Sequence, residues 1–249
     1  MSEHIQRSCA DGVCELRFNR PEKRNAITFA MYQALAAHLK AALDDEAVRV
    51  VLLSGAGASF SAGNDLKDFI SGPEFSGTHP VLEVLRTLAT FGKPLVAAVH
   101  GQTVGIGVTM LLHCDLVLAA QGTVLTMPFV ALGLVPEAGS SLLVPRLAGQ
   151  QRAAELLLLG QPLDAAGAER LGLVNRVVGE GEVLGEARAL AQRLAQQPAG
   201  ALRATKALLR GDPAELLARI DAEAREFSSR LKSPEFVARV QAMLGKGRT

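Results

Sequence analysis

The sequence from Lys93 to Asp115 is KPLVAAVHGQTVGIGVTMLLHCD, and it combines an apolar run with three closely spaced glycines. Its apolar run Pro94–Val99 is typical of a buried strand, and the glycine-rich segment His100–Gly107 joins that strand to a helical pattern. The spacing G-x-x-x-G-x-G differs from the dinucleotide-binding G-x-G-x-x-G, and the Lys-Ser/Thr pair of a phosphate-binding loop does not follow it. On spacing alone, the segment fits either a nest of backbone N–H donors or close helix packing on small residues.

Strand and helix patterns alternate on both sides of this segment. Upstream, the Asp11-Gly12 pair predicts a hairpin turn, and the run Val48–Leu53 predicts a buried strand. Between them, Thr28 is a suitable N-cap for a helix over 28–45. Further strands are predicted at 115–119, 123–127 and 173–178, and further helices at 80–91, 140–147, 150–160, 164–171, 182–197, 199–210, 213–231 and 233–244. The alternation predicts an α/β fold with a mainly parallel, helix-covered sheet, and the aperiodic residues 71–79 are predicted to form a mobile loop.

The composition is typical of a water-soluble protein without excess charge. Of the 249 residues, 49% are hydrophobic and 20% are charged, and 26 basic side chains against 25 acidic ones leave a formal net charge of +1. This balance disfavours binding to nucleic acid or to an anionic membrane, both of which usually require a basic surface. The sequence has no apolar run of the roughly 18 residues that a membrane span needs. Because its first residues do not read as a secretory signal, we expect a cytoplasmic protein.

The cysteines and histidines do not suggest a metal or a catalytic triad. Cys9, Cys14 and Cys114 are too few for a disulfide framework or a zinc site, so no metal is predicted. The predicted hairpin places Cys9 directly opposite Cys14, where a disulfide is conceivable but two thiols are expected in a reducing compartment. His100 and His113 lie in apolar stretches and are expected to be core residues.

Three further segments combine polar groups with turn residues. Residues 60–66, FSAGNDL, fit either an oxyanion-binding turn or a tight structural turn, with Asp65 in an N-cap position. Residues 135–141, VPEAGSS, place Glu137 among apolar residues before a helix, as either a general base or a helix cap. Residues 19–26, NRPEKRNA, fit either a phosphate-binding turn or a solvated face.

In this order and at these separations, the segments resemble the crotonase superfamily, the enoyl-CoA hydratase/isomerase fold. The resemblance is carried by NRPEKRNAIT (19–28), FSAGNDLKDF (60–69), the stretch 93–115 and LGLVPEAGSSLLVPRL (132–147). It continues more loosely through the C-terminal helices. It implies a spiral of repeated β-β-α units over residues 1–195. A C-terminal helical region over 196–249 would then mediate a homotrimer, often paired into a hexamer.

The resemblance also implies the chemistry. Members of the superfamily stabilise the enolate of an acyl-CoA thioester with two backbone N–H groups, which by position would belong to Asn64 and Ile106. Asn64 departs from the small residue common at that position; its side-chain amide would either reach the pocket or cap the following helix, and we expect the cap. Coenzyme A would enter as part of the substrate, so no bound cofactor is expected. The residues that match the lining of the acyl-CoA site are Arg24, Ala26, Ala62, Asp65, Leu66, Thr109, Phe129, Leu132 and Pro136.

The residues at three positions distinguish between the reactions of the superfamily. Its hydratases use two glutamates to activate water, and the matching positions here hold Thr109 and Phe129. Glu137 matches the single catalytic glutamate of the peroxisomal-type 3-enoyl-CoA/2-enoyl-CoA isomerases, which serve fatty-acid β-oxidation. One carboxylate suffices to move a double bond by removing a proton from C2 and returning it at C4. We therefore predict an enoyl-CoA isomerase in which Glu137 is the sole acid/base, and in which Thr109→Ala costs little activity if Thr109 is only a relic of the hydratase position.

Other functions stay open. Within the superfamily these are an enoyl-CoA hydratase, a dehalogenase, and a ring-altering acyl-CoA isomerase of aromatic-acid degradation, which carries aspartate at the position of Glu137. A non-catalytic, RNA-binding member would need a basic helix face, for which Arg193, Arg203, Lys206 and Arg210 are the candidates. The balanced charge and the presence of Glu137 argue against that alternative.

Overall fold

The protein is described by a computed structural model that covers residues 2–71, 77 and 79–246, so most of the predicted loop at 71–79 lies outside the described residues. The strands are β1 Ile5–Ala10, β2 Val13–Phe18, β3 Val50–Gly55, β4 Leu95–Val99, β5 Gln102–Val104, β6 Leu116–Ala120, β7 Val124–Thr126, β8 Leu163–Asp164 and β9 Arg176–Val178. The α-helices are α1 Phe29–Asp44, α2 Leu66–Ser71, α3 Pro80–Ala89, α4 Ile106–Thr109, α5 Ser140–Ala148, α6 Gln150–Leu157, α7 Ala165–Leu171, α8 Val183–Ala195, α9 Ala199–Arg210, α10 Ala214–Leu231 and α11 Pro234–Lys246. Short 3-10 helices occupy Pro21–Lys23, Met110–His113 and Val130–Leu132.

The main sheet has the strand order β1-β2-β3-β4-β6-β9. Its first pair is antiparallel, and every following pair is parallel. Because both faces of a parallel sheet are covered, its strands carry apolar residues at consecutive positions. In β3, Val51 and Leu53 join the larger core beneath α1 and α3, while Val50 and Leu52 pack on the opposite face against α8. The predicted α/β fold with a mainly parallel, helix-covered sheet is confirmed.

The first hairpin turns at Asp11 and Gly12, as predicted. Their φ angles of 51° and 80° are both left-handed, as a two-residue turn with the twist of the strands requires. The register pairs Cys9 with Cys14, and their Cα atoms lie 4.0 Å apart. The two residues form a disulfide, so the expectation of two free thiols was wrong. Redox compartment was the only argument for free thiols, and the hairpin register itself brings the two sulfurs together.

A second sheet, in the order β5-β7-β8, lies beside the glycine-rich segment. The sequence predicted only a connection where β5 runs. Its central residue Thr103 is buried and forms a bridge with Ser61, so this strand is defined by tertiary contact rather than by local pattern. The predicted strand at 173–178 is also shorter, because only Arg176–Val178 pairs with β6.

The helices agree with the predicted periodicity. Thr28 caps α1, since its hydroxyl accepts the Met31 N–H at 3.2 Å.

In α9, Lys206 is buried and donates to the Asp115 carboxylate at 2.7 Å, and Arg210 donates to the same carboxylate at 3.1 Å. Two of the four candidates for an RNA-binding face are therefore engaged within the protein. Among the described helices, none combines the length and apolarity needed to cross a membrane.

Candidate active site

Two strand-to-helix turns, at 60–66 and 100–107, lie side by side. The Val104 N–H donates to the Ser61 carbonyl at 2.9 Å and joins the two turns. Gly63 has a φ of +86°, and a Cβ at this position would lie only 2.8 Å from the Val104 carbonyl oxygen. Only glycine permits both this backbone conformation and this approach. The fold therefore brings together the two segments that carry Asn64 and Ile106.

The backbone N–H groups of Asn64 and Ile106 have no acceptor among the described residues. The next N–H along the chain, that of Asp65, is used, because it donates to the Ile27 carbonyl at 2.9 Å. Ile106 begins α4, and the first N–H groups of a helix have no acceptor within it. Each of the two neighbouring turns thus leaves at least one backbone donor, Asn64 N–H in one and Ile106 N–H in the other, without an acceptor among the described residues, and such donors suit an oxyanion.

The segment 24–27 runs along the first of these turns. The Ala62 N–H donates to the Arg24 carbonyl at 2.8 Å, and the Ile27 N–H donates to the Gly63 carbonyl at 2.8 Å. The side chain of Arg24 is exposed and has no partner among the described residues. The predicted acyl-CoA-lining residues Arg24, Ala26, Ala62, Asp65 and Leu66 therefore belong to two adjacent segments.

Asn25 holds this arrangement together, and the sequence analysis missed it. Its side chain is fully buried, donates to the carbonyls of Ala56 and Ser59 at 2.8 and 2.7 Å, and accepts the Arg20 N–H at 2.8 Å. Its φ of 56° is left-handed, a conformation that asparagine tolerates better than most residues. That preference was the available signal within a turn that otherwise read as a solvated basic face.

The side chain of Asn64 does not cap α2, contrary to expectation. It accepts a hydrogen bond from the Tyr32 hydroxyl at 2.5 Å. Asp65 caps the helix instead, because its carboxylate accepts the Lys67 N–H at 3.2 Å and is held by Arg20 at 2.7 Å. Asp65 immediately precedes the first helical residue, so its side chain is the one within reach of the free amides.

Glu137 is buried, with 4% of its surface exposed. Thr109 donates a hydrogen bond from its hydroxyl to Oε1 of this carboxyl group, whereas Oε2 has no hydrogen-bond partner among the described residues. Burial raises the pKa of Glu137 to about 8; the Thr109 hydrogen bond opposes the rise and the negative charge of Glu223 adds to it. Glu137 in turn adds to the effect of burial in raising the pKa of Tyr32. The contact shows that Thr109 bonds the carboxyl group of Glu137 and is not merely a neighbour of it in the fold.

The turn that carries Glu137 is unusual in its backbone. Ala138 and Gly139 follow with φ angles of 62° and 71°, so two consecutive residues are left-handed. The Ala138 carbonyl accepts from the His113 ring at 2.8 Å, and the Ser140 hydroxyl donates to the Glu137 carbonyl at 2.6 Å. His113 is fully buried, as predicted. These contacts fix the backbone position from which the Glu137 side chain projects.

A second buried carboxylate, Glu223, was also missed. It projects from α10 and accepts the N–H groups of Gly139 and Ser141 at 2.6 and 2.9 Å, so it caps α5. Of the two interpretations of Glu137 left open by the sequence, a general base or a helix cap, the second is therefore wrong. Glu223 lies more than eighty positions further along the chain, where no local pattern connects it with this turn.

The remaining candidates are less directly connected with Glu137. Phe129 and Leu132 pack into the core at the short 3-10 helix that precedes Glu137, and Pro136 is half-buried beside it. His100 was predicted to be a core residue, and this prediction was wrong. Its ring is partly exposed and forms a hydrogen bond with the Gly57 carbonyl at 2.9 Å. Across the described part of the chain, no group of three or more His, Cys, Asp or Glu side chains is placed to hold a metal ion.

Known proteins with similar sequences and structures identify the family of this chain. The enoyl-CoA delta isomerase 2 of Rattus norvegicus is 39% identical over 218 residues, covering 85% of this chain; the chain spans only 56% of that relative. The 1,2-epoxyphenylacetyl-CoA isomerase of Escherichia coli is 39% identical over 207 residues, covering 80% of this chain and 78% of that protein. The solved structure of Pseudomonas aeruginosa OdaA superimposes with a TM-score of 0.95 at 43% identity, covering 97% of this chain and 99% of the other. Residues 8–248 match the enoyl-CoA hydratase/isomerase family, and with nearly the whole chain matched, this protein belongs to that family, the acyl-CoA enzymes of the crotonase superfamily.

Proposed function

We propose that this protein converts a 3-enoyl-CoA to the 2-trans-enoyl-CoA, with Glu137 as its sole acid/base. The observation that carries the proposal is the state of the Glu137 carboxyl group. It is buried, one oxygen accepts a hydrogen bond from Thr109, and the other oxygen is buried without a hydrogen-bond partner among the described residues. Addition of water to a double bond ordinarily needs a second positioned carboxylate, and the positions that match the hydratase glutamates hold Thr109 and Phe129.

The proposed reaction uses one proton and returns it. Glu137 takes the proton from C2, and the C–H electron pair forms a dienolate whose negative charge rests on the thioester oxygen. The free N–H groups of Asn64 and Ile106 stabilise that charge. Glu137 then gives the proton to C4, the remaining double bond forms between C2 and C3, and the carboxylate is restored. A pKa of about 8 suits a group that must act first as base and then as acid near neutral pH.

The experiment that tests the proposal compares two substrates. Purified protein is mixed with 3-enoyl-CoA or with 2-trans-enoyl-CoA, and the absorbance of the conjugated thioester is followed. We expect it to rise with the first substrate and to stay nearly constant with the second. A rapid fall with 2-enoyl-CoA, together with no rise from 3-enoyl-CoA, would identify a hydratase and contradict the proposal.

The second candidate is an isomerase that alters the ring of an aromatic acyl-CoA. It is favoured by the Escherichia coli 1,2-epoxyphenylacetyl-CoA isomerase, because the match covers most of both proteins. The superfamily resemblance places aspartate at the catalytic position of such enzymes, whereas this chain has the longer Glu137. Turnover of 1,2-epoxyphenylacetyl-CoA at a higher kcat/KM than that of any 3-enoyl-CoA would favour this candidate.

We also propose that the protein is a homotrimer or a pair of trimers. In the single chain, large apolar side chains are exposed in the turn after α6, Leu158 at 64% and Leu159 at 68%, and on α9, Leu208 at 85% and Leu209 at 82%. Clusters of large exposed apolar side chains are typical of contacts with other chains. We expect sedimentation at micromolar concentration to give a multiple of three chains, and Leu208→Glu to reduce it. A monomer for the unmodified protein would refute the proposal.

A further inference from the structure

We propose that Glu223 is a positioning residue for Glu137. From α10 it clamps the turn that carries Glu137 and occupies the helix-start amides that would otherwise stabilise the Glu137 carboxylate. The inference rests on the proposed function in that it concerns the same acid/base.

The clamp consists of two short hydrogen bonds to one turn. Each oxygen of the Glu223 carboxylate accepts one backbone N–H, that of Gly139 at 2.6 Å and that of Ser141 at 2.9 Å. Leu216, on the same helix, packs directly against Gly139, since a Cβ there would lie only 2.3 Å from the Leu216 Cδ1. Helix α10 therefore seals the turn with both a charge and an apolar side chain. Since Gly139 is two residues from Glu137, movement of α10 would move the base.

The clamp also determines which carboxylate accepts the N–H groups at the start of α5. The amides at the beginning of a helix stabilise a nearby anion, and here Glu223 rather than Glu137 takes them. Glu137 is left with the Thr109 hydroxyl, and the negative charge of Glu223 disfavours a second anion beside it. Both effects keep the pKa of Glu137 higher than it would be if the Glu137 carboxylate itself accepted the N–H groups at the start of α5.

The other charged groups around α10 do not cancel Glu223. Burial raises the pKa of Glu223, and the hydrogen bonds from Ser141 and Gly139 together with the charge of Arg219, which is exposed on the same helix, oppose that rise. The cations that reach α10 from α3 and α5 are engaged elsewhere: Arg86 with Asp221 and Arg146 with Glu215, each at 2.7 Å. On the Glu137 side, the neighbouring titratable groups are Tyr32 and His113. Burial raises the pKa of Tyr32 and lowers that of His113 to about 4, so both are neutral near pH 7.

The test is Glu223→Gln, which keeps the shape but removes the charge and one of the two acceptors. The pKa of Glu137 is measured in the resting protein from the infrared band of its protonated carboxyl group, with Glu137→Gln as the blank. We expect that pKa to fall by about one unit. The pH at which kcat/KM is half-maximal should fall with it, and kcat should drop about tenfold with little change in KM. Glu226→Gln, an exposed position on the same helix, is the matched control and should change none of these values.

The outcomes separate this inference from the proposed function. An unchanged Glu137 pKa in folded Glu223→Gln overturns the inference, even if the variant is less stable. If that variant does not fold, Glu223→Asp carries the test. It keeps the charge but shortens the reach, so kcat should fall while the Glu137 pKa stays high, and wild-type kcat would overturn the inference. If the unmodified protein does not isomerise 3-enoyl-CoA, the proposed function fails, yet the infrared titration still decides the role of Glu223.

Discussion

The two halves of the candidate site are built in different ways. The donor half, the turns that carry Asn64 and Ile106, consists of backbone amides and needs only glycine where the two turns approach. The base half, the turn that carries Glu137, consists of one carboxyl group whose properties come from Thr109 and Glu223. The donor half therefore depends on local geometry, and the base half depends on packing between distant elements.

The largest effect is expected from removal of the base itself. Glu137→Gln keeps the volume of the side chain but cannot accept a proton, so kcat for isomerisation should fall by about 10²–10⁴-fold. Binding of a CoA ester, measured by calorimetry, should stay nearly unchanged because the donor half is intact. Glu137→Asp should retain a little activity, since the carboxylate survives but lies one methylene further back. Wild-type turnover in Glu137→Gln would show that another group is the base.

A somewhat smaller loss is expected when the donor half is forced apart. Gly63→Ala places a methyl group about 2.8 Å from the Val104 carbonyl oxygen at a left-handed φ, so the two turns must separate. Misplacing one donor of an oxyanion site typically costs about 10²–10³-fold in kcat. Gly92→Ala is the control, because a Cβ there meets nothing within 4 Å and its φ is not left-handed. If Gly63→Ala kept the wild-type kcat, the oxyanion would have to be held elsewhere.

The same contrast explains how much could be predicted from the sequence. Strands, helices and the hairpin register follow from periodicity and turn chemistry, and the glycine-flanked positions 64 and 106 follow from local pattern together with the superfamily resemblance. The roles of Asn25 and Glu223 depend on carbonyls and amides contributed by other parts of the chain. No spacing in the sequence identifies such partners, because they lie far from these residues along the chain. The resemblance itself placed Glu137, but the state of its carboxyl group could be obtained only from the folded structure.

Thr109 sharpens the contrast within the base half. Its hydrogen bond to Glu137 opposes the rise of the Glu137 pKa, whereas the charge of Glu223 adds to it. Thr109→Val should therefore shift the pH profile of kcat/KM upwards, in the direction opposite to Glu223→Gln, and lower kcat by roughly tenfold through looser placement of the base. Thr123→Val, another buried threonine that donates to the Val99 carbonyl, is the control. A downward shift, or no shift, in Thr109→Val would show that the hydroxyl does not bond the ionised carboxylate.

The smallest effect concerns stability, where the base half should carry a cost that the donor half does not. The pKa of Glu137 is raised from 4.5 to about 8 in the folded protein. Below about pH 4.5 this carboxyl is neutral in both the folded and the unfolded state and costs nothing. As the pH rises towards 8 the unfolded state ionises first, so the free energy of unfolding falls, and above the folded-state pKa the loss is complete.

Glu137→Gln removes this penalty because it has no proton to lose. A change of 1 kcal/mol shifts the Tm of a protein this size by about 2–4 °C, so the Tm of Glu137→Gln should exceed that of the wild type by several degrees at about pH 9 and by much less at about pH 5. Equal differences at both pH values, measured by calorimetry, would mean that burial does not hold the carboxyl group protonated.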